Sequence, residues 1–428
     1  MSTAAPVPVR TRRGTLARFA IVVVILLILL VVAGSYLLQP QRASRLLLDR
    51  VGSALGLQIT ASGQASYRLR GTPQLVLRDV VARRPGDAAA LLRAERVFVA
   101  LPWSTLRARG SDLTVQRIEL DAPILDVPAL QRWQASRTPG ETKIPTLTEG
   151  LRIVRGRIDN DGWRIDGINV ELPSLAPGKP LSARLQGRYL DPPTSLPFDL
   201  DVALTKPAND AGLAAIGKVT LQGDVWKLPA QIHLSGPLHL GDGDVSIVPA
   251  KIGISTRYVS ASSNLPFVLG AAGPLRFGEG VWALDPAALV LHGGGVIPEA
   301  KARGALALGR RLVLRLQGEI AAWPDAWPAL PPPLSASTSP MSFSLDYVGQ
   351  VDFSEVASLG LRRDDTTFDA RFKLPVMVDW INAEVAGSPL PPLQGALQTP
   401  RLEIAGATLE GVEVEFTDEA SVPASTGP

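Results

Sequence analysis

The sequence predicts a mainly β protein behind one N-terminal transmembrane helix. Three observations carry that expectation. Residues Phe19 to Leu38 form an uncharged apolar run. From Leu57 onward the apolar residues recur with a period of two, the period of a strand with one buried face. The chain also holds 39 Gly and 37 Pro in 428 residues, a supply of turn formers that works against long continuous helices.

The apolar run comes first along the chain. Twenty helical residues rise ~30 Å, the thickness of a bilayer's hydrocarbon core. The tail before it, residues 1–18, contains Arg10, Arg12, Arg13 and Arg18 and no acid. The positive-inside rule therefore keeps the N-terminus in the cytoplasm and sends everything after Leu38 across the membrane. A cleaved signal peptide is the competing reading, but the run continues through Leu37 and Leu38, past the length of a usual signal core. Residues 41–55 follow as a connector helix, with Leu47, Leu48, Val51 and Leu55 at helical spacing and Gly56 to end it. It either packs on the first strands or lies at the membrane surface.

The region 57–417 reads as strands. Phe198, Leu200, Val202 and Leu204 alternate with Asp199, Asp201 and Ala203. Leu312, Leu314 and Leu316 share one face, as do Phe368, Ala370 and Phe372, and Val412, Val414 and Phe416. One apolar and one charged face per strand suits an antiparallel sheet with one side in water. Short helices are expected near Trp103–Arg109 and Pro128–Arg137, while Pro375–Val385 fits either helix or strand. Linker-like stretches fall at 134–150, 206–215 and 321–340, the last rich in Trp-Pro and Pro-Pro pairs. Residues 418–428 read as a disordered polar tail.

Composition narrows the chemistry. Without cysteine there is no disulfide, thiol nucleophile or cysteine-based metal site. Three histidines leave little for metal binding, and 43 basic against 40 acidic residues give no preference for nucleic acid. The segment Gly212 to Lys218 has the glycine spacing of a P-loop, but Val219 stands where its hydroxyl residue belongs, so it reads as a turn before a strand. His233 and His239 flank Ser235-Gly236-Pro237 and read as solvated hairpin residues. Asp159-Asn160-Asp161-Gly162 lacks the length of a calcium loop and reads as a turn. No catalytic motif is present, so no enzyme and no cofactor is expected.

A series of motifs carries a resemblance. Pro73-Gln-Leu75-Val-Leu77-Arg-Asp79-Val80 is followed by Ala94-Glu95-Arg96-Val97-Phe98-Val99, then by Ile118-Glu-Leu120-Asp-Ala-Pro123-Ile-Leu125. Their order behind an N-terminal anchor resembles the AsmA family of inner-membrane-anchored periplasmic proteins. The likeness extends over about residues 40–190 and again over 400–416; between these it is compositional. It implies a single-pass protein of the bacterial inner membrane whose bulk lies in the periplasm. It further implies a long twisted sheet curled into an apolar groove, like that of bridge-type lipid transfer proteins, serving outer-membrane biogenesis. On that reading the partners are the membrane and a phospholipid or related acyl lipid. The groove candidates are Phe198, Leu200, Val202, Leu204, Leu312, Leu314, Leu316, Phe368, Phe372, Val412, Val414 and Phe416. The alternative is a closed β-sandwich that acts as a scaffold, recruiting envelope proteins through loops such as Trp323–Pro328.

Overall fold

The structure is a computed structural model that describes residues 56–107, 113–136, 144–241, 244–261, 263–327, 329–332, 334–382, 391–404 and 407–417. The expected basic tail, transmembrane helix, connector helix and C-terminal tail (1–18, 19–38, 41–55 and 418–428) lie outside the described residues. Among the described residues no helix is long and apolar enough to cross a membrane. The chain divides into two units, Met1–Val219 with Pro237–Val245, and Thr220–Gly236 with Ser246–Pro428.

The first unit begins with β1 (Gln58–Ala61), β2 (Ser66–Arg68), β3 (Gln74–Arg83) and β4 (Leu92–Ala100). Helix α1 (Trp103–Arg107), β5 (Thr114–Val115), β6 (Arg117–Asp121), β7 (Ile124–Asp126) and helix α2 (Val127–Ala135) follow. Then come β8 (Thr146–Leu147), β9 (Leu151–Asp159), β10 (Arg164–Leu172), β11 (Leu181–Asp191) and β12 (Thr194–Leu204). Most pairings are antiparallel; β5 with β8, and β6 and β7 with β9, are parallel. In β3 the alternation changes phase. Asp79 sits at φ 52, so Leu77 and Val80 both reach the buried side although an odd number of residues does not separate them. Asp79 tolerates that left-handed backbone better than a branched residue would.

The core of this unit lies under its two helices. Asp126 caps α2, its Oδ1 accepting from the Ala129 N–H at 2.7 Å, and Pro128 occupies the first turn, where a missing N–H costs nothing. The helix then buries Ala129, Leu130 and Trp133 against Leu92, Val97, Val99, Ile118 and Leu120. In α1, Leu106 joins the same cluster and the Thr105 hydroxyl donates to the Thr114 carbonyl at 2.7 Å.

Three longer strands follow, β13 (Asp210–Gln222), β14 (Lys227–Leu240) and β15 (Val245–Val259), and the divisions between the units fall within them. They correct three sequence expectations. The glycine-spaced segment Gly212–Lys218, read as a turn before a strand, is itself strand inside β13, which continues through Lys218 as expected. Of the linker-like 206–215, only residues before Asp210 form the turn. His233 and His239 stand on one uninterrupted strand, not on a hairpin, because Gly236 accommodates the close approach of the Pro249 carbonyl within β14.

The second unit continues with β16 (Asn264–Gly278), β17 (Val281–Gly293), β18 (Glu299–Leu308), β19 (Leu312–Ala322), β20 (Met341–Gly349), β21 (Ala357–Arg363) and β22 (Thr366–Phe372). Helix α3 (Leu374–Asn382) precedes β23 (Gln394–Ile404) and β24 (Ala407–Phe416). Each strand from β16 to β24 pairs antiparallel with the next. Of the ambiguous stretch 375–385 the described residues, 375–382, are helical, and Met377 packs this helix against Ala370, Phe372 and Leu393.

Candidate functional site

Cross-strand register places the apolar residues of neighbouring strands in rows. In the first unit Ala82, Leu92, Leu125, Ile158, Ile165, Tyr189 and Leu196 stand opposite one another in succession across β3, β4, β7, β9, β10, β11 and β12. A second row runs Leu77, Val97, Leu120, Ile153, Val170, Leu185 and Leu200. Of the groove candidates, Phe198, Leu200, Val202 and Leu204 all lie on this face of β12, opposite Gly187, Leu185, Ala183 and Leu181.

Burial changes along these rows. On β6, under the helices, Ile118 and Leu120 are 2% and 4% exposed. On β9, the adjacent strand, Leu151 and Ile153 are only half-buried, and the same holds for Ile165, Val170, Leu185, Leu200 and Val202. The chemistry of the side chains is unchanged; the difference is that α1 and α2 cover one part of the face. Near the end of β12 a cavity of about 460 Å³ is lined in part by Pro173, Pro180, Leu181, Leu204 and Gly212.

The second unit repeats the arrangement over more strands. One row runs Leu275, Leu284, Leu306, Leu314, Tyr347, Ala357 and Phe372. The next runs Ala287, Gly304, Leu316, Leu345, Leu359, Ala370, Gly395 and Phe416. A third runs Leu289, Ala302, Gly318, Phe343, Leu361, Phe368, Leu397 and Val414. Leu312 stands beside Leu308, and Val412 opposite Thr399, on the same side. The first row is mostly buried: Phe353 packs on Tyr347 with ring centroids 4.8 Å apart, and Phe372 lies in the cluster that Met377 of α3 joins. At the other strand ends Ile320 and Met341 are buried. Between these margins Leu316, Phe343, Leu345, Leu359, Leu361, Phe368, Leu397, Val414 and Phe416 are half-buried.

The register thus adds face residues outside the candidate set, notably Ile153, Val170, Leu185, Phe343, Leu345, Leu359, Leu361 and Leu397. The signal for them was the same alternation, as in Phe343-Ser-Leu345 and Leu359-Gly-Leu361. These rows carry no charged side chain. Their polar members are tied locally: the Tyr347 hydroxyl donates to the Gln350 carbonyl at 2.6 Å, and beside the rows Thr366 and Thr399 share a hydrogen bond of 2.8 Å.

Charge sits on the opposite face. Arg184 grips Asp199 with two hydrogen bonds of 3.0 and 2.7 Å, and this holds the Asp199 carboxyl below its usual range. Arg96 bridges Glu119 and Asp121 at 3.0 and 3.1 Å. In the second unit Lys301 stands opposite Glu319, and Arg315 opposite Asp346.

The remaining sequence features are used internally. The Trp327 indole donates to the Val296 carbonyl at 2.9 Å and packs edge-on against Trp323. The rest of that loop is held by Arg363, which donates to the Ser339 and Leu334 carbonyls. His239 meets Asp210 at 2.7 Å, and His292 lies 3.6 Å from Glu299. Among the described residues no three or more His, Asp or Glu gather as metal ligands. Asp161-Gly162 forms the turn between β9 and β10, with Gly162 at φ 88. Compared with family models, curated proteins and solved structures, the chain matches none.

Proposed function

We propose that the protein is an AsmA-like, non-enzymatic envelope protein that holds acyl lipid against the apolar face of its sheet. One observation supports this above the others: most apolar side chains of the second unit's inner rows stay half-buried, Ala287, Leu289 and Ala370 excepted. A sheet whose apolar face served only as core would bury it, as the first unit does beneath α1 and α2. An apolar strip left open in a soluble region is a binding surface by default. Such a strip suits a phospholipid or related lipid, whose chains gain about 0.8 kcal/mol per buried methylene and need no specific polar partner. The run Phe19–Leu38 and the arginines before it favour an inner-membrane anchor with a cytoplasmic N-terminus and a periplasmic sheet, in service of outer-membrane biogenesis. In the scaffold reading the Trp323–Pro328 loop would recruit partners, yet Trp327 is spent on an internal hydrogen bond.

The test uses the full chain extracted from membranes in detergent. Native mass spectrometry and lipid analysis should find bound acyl lipid in stoichiometric amount. Leu200→Asp, Leu316→Asp and Phe368→Asp should each lower its occupancy while the circular dichroism of the sheet is kept. A well-folded protein without lipid, or occupancy unchanged in all three variants, would overturn the reading.

A further inference from the structure

Among the described residues the large sheet has strands with a neighbour on one side only, β24 at one edge and β1 and β2, both beside β3, at the other. β24 pairs with β23 on one side only, and β2 pairs with β3 alone. A free edge offers a row of backbone N–H and C=O groups to a further strand. β24 is ten residues long and contains no proline to interrupt that row.

The side chains of the two edges are complementary. On the charged face of β24, Glu413 and Glu415 stand opposite Gln398 and Ala396, so the strand beside them supplies no cation. On its other face Val412, Val414 and Phe416 carry the apolar rows to the edge. At β2 the pattern is the same with the sign reversed. In β2 Tyr67 is 53% exposed beside the exposed Arg68, and just past the strand Leu69, 47% exposed, precedes the exposed Arg70. Tyr67 pairs with Leu75, a residue packed on the core side, and Arg68 pairs with Gln74.

We infer that the β24 edge of one molecule takes the β2 edge of a second copy, in a head-to-tail extension of the sheet. Glu413 and Glu415 would face Arg68 and Arg70, and Val414 and Phe416 would meet Tyr67 and Leu69. Charges that merely guard edges against self-association would have one sign at both ends; here they are opposite. Because the two edges differ, the contact is heterologous, and repeated use builds a ring or an open series rather than a two-fold dimer. This inference is independent of whether lipid occupies the apolar face.

The experiment takes the full chain in detergent, with its mass distribution followed by mass photometry and sedimentation velocity over a concentration series. Wild type should give concentration-dependent dimers and longer species. E413R/E415R alone sets arginine against arginine, and R68E/R70E alone sets glutamate against glutamate. Each should associate about tenfold more weakly or worse. A one-to-one mixture of the two restores unlike charges at every junction and should recover assembly, which also shows that both variants fold. The native chain has no cysteine, so Arg68→Cys and Glu415→Cys introduced in separate molecules, opposite one another in the antiparallel register, report the junction by a disulfide. Wild type that stays single at every concentration would overturn the inference. So would oligomers that survive both reversals, or a mixture that fails to recover although each variant is folded by circular dichroism. Loss of a different co-purifying protein from E413R/E415R, without self-association of wild type, would give β24 another partner and reject the second copy.

Discussion

Gly304 illustrates how a single residue sets the backbone of a long strand. It lies mid-strand in β18 at φ 154, and a Cβ there would run into the Arg315 carbonyl of β19. Gly304→Ala should therefore destabilise the protein by about 1–3 kcal/mol, the usual size of such backbone strain. Gly270→Ala in β16 is the control, since the nearest atom, the Val290 carbonyl oxygen, is 3.9 Å away. Urea denaturation of the pair should show a lower midpoint for the first and no loss for the second. Tyrosine offers a second test at this scale. Burial pushes the phenols of Tyr189, Tyr258 and Tyr347 above their ordinary pKa. The folded state prefers each neutral ring, so that contribution to stability is whole below the unfolded tyrosine pKa and is lost as pH rises through the folded value. An ultraviolet titration should find these three rings ionising above the ordinary tyrosine range, and unfolding should accelerate in strong alkali. Ionisation of Tyr189, Tyr258 and Tyr347 at the ordinary tyrosine pKa in the folded protein would contradict their burial.

Among the elements, α2 has the most to lose. Trp133 is 2% exposed and is the largest side chain that the helix buries. Trp133→Ala should cost about 3–5 kcal/mol, and Asp126→Ala, which removes the cap, about 1 kcal/mol. Thermal unfolding followed by circular dichroism checks both, and a Trp133→Ala midpoint equal to wild type would deny the helix its covering role. Much of this level was legible in the sequence. Alternation in Phe198–Leu204 or Phe368–Phe372 fixes which residues share a face, because successive strand side chains point to opposite sides. What escaped was local phase and length. The change of phase at Asp79 needs a backbone angle that no alternation reports. Ser235-Gly236-Pro237 has the composition of a turn yet lies inside β14, where its glycine serves a close backbone approach. The half-burial of Leu316 or Leu361 could not be read at all, since a packed core and an open face require the same residues in the same order.

For the whole molecule, the proposed lipid binding would be linked to stability. A ligand that binds only the folded protein raises stability by about 2.7 kcal/mol at a hundred times its dissociation constant. Adding phospholipid to the delipidated chain should raise its melting temperature progressively, and Leu316→Asp should flatten that response. Equal melting curves with and without lipid would count against occupancy of the face. The uncharged rows have a final consequence for movement. A methylene chain lying across Leu316, Leu345 and Leu359 would meet much the same surface after sliding on by one strand. Each carbon contact exchanged is worth about 0.1–0.2 kcal/mol, and the contact ahead replaces the one behind. Along such a surface the potential has shallow wells and no hydrogen bond to break, so transport would be one-dimensional diffusion, its direction set by the lipid concentration at either end.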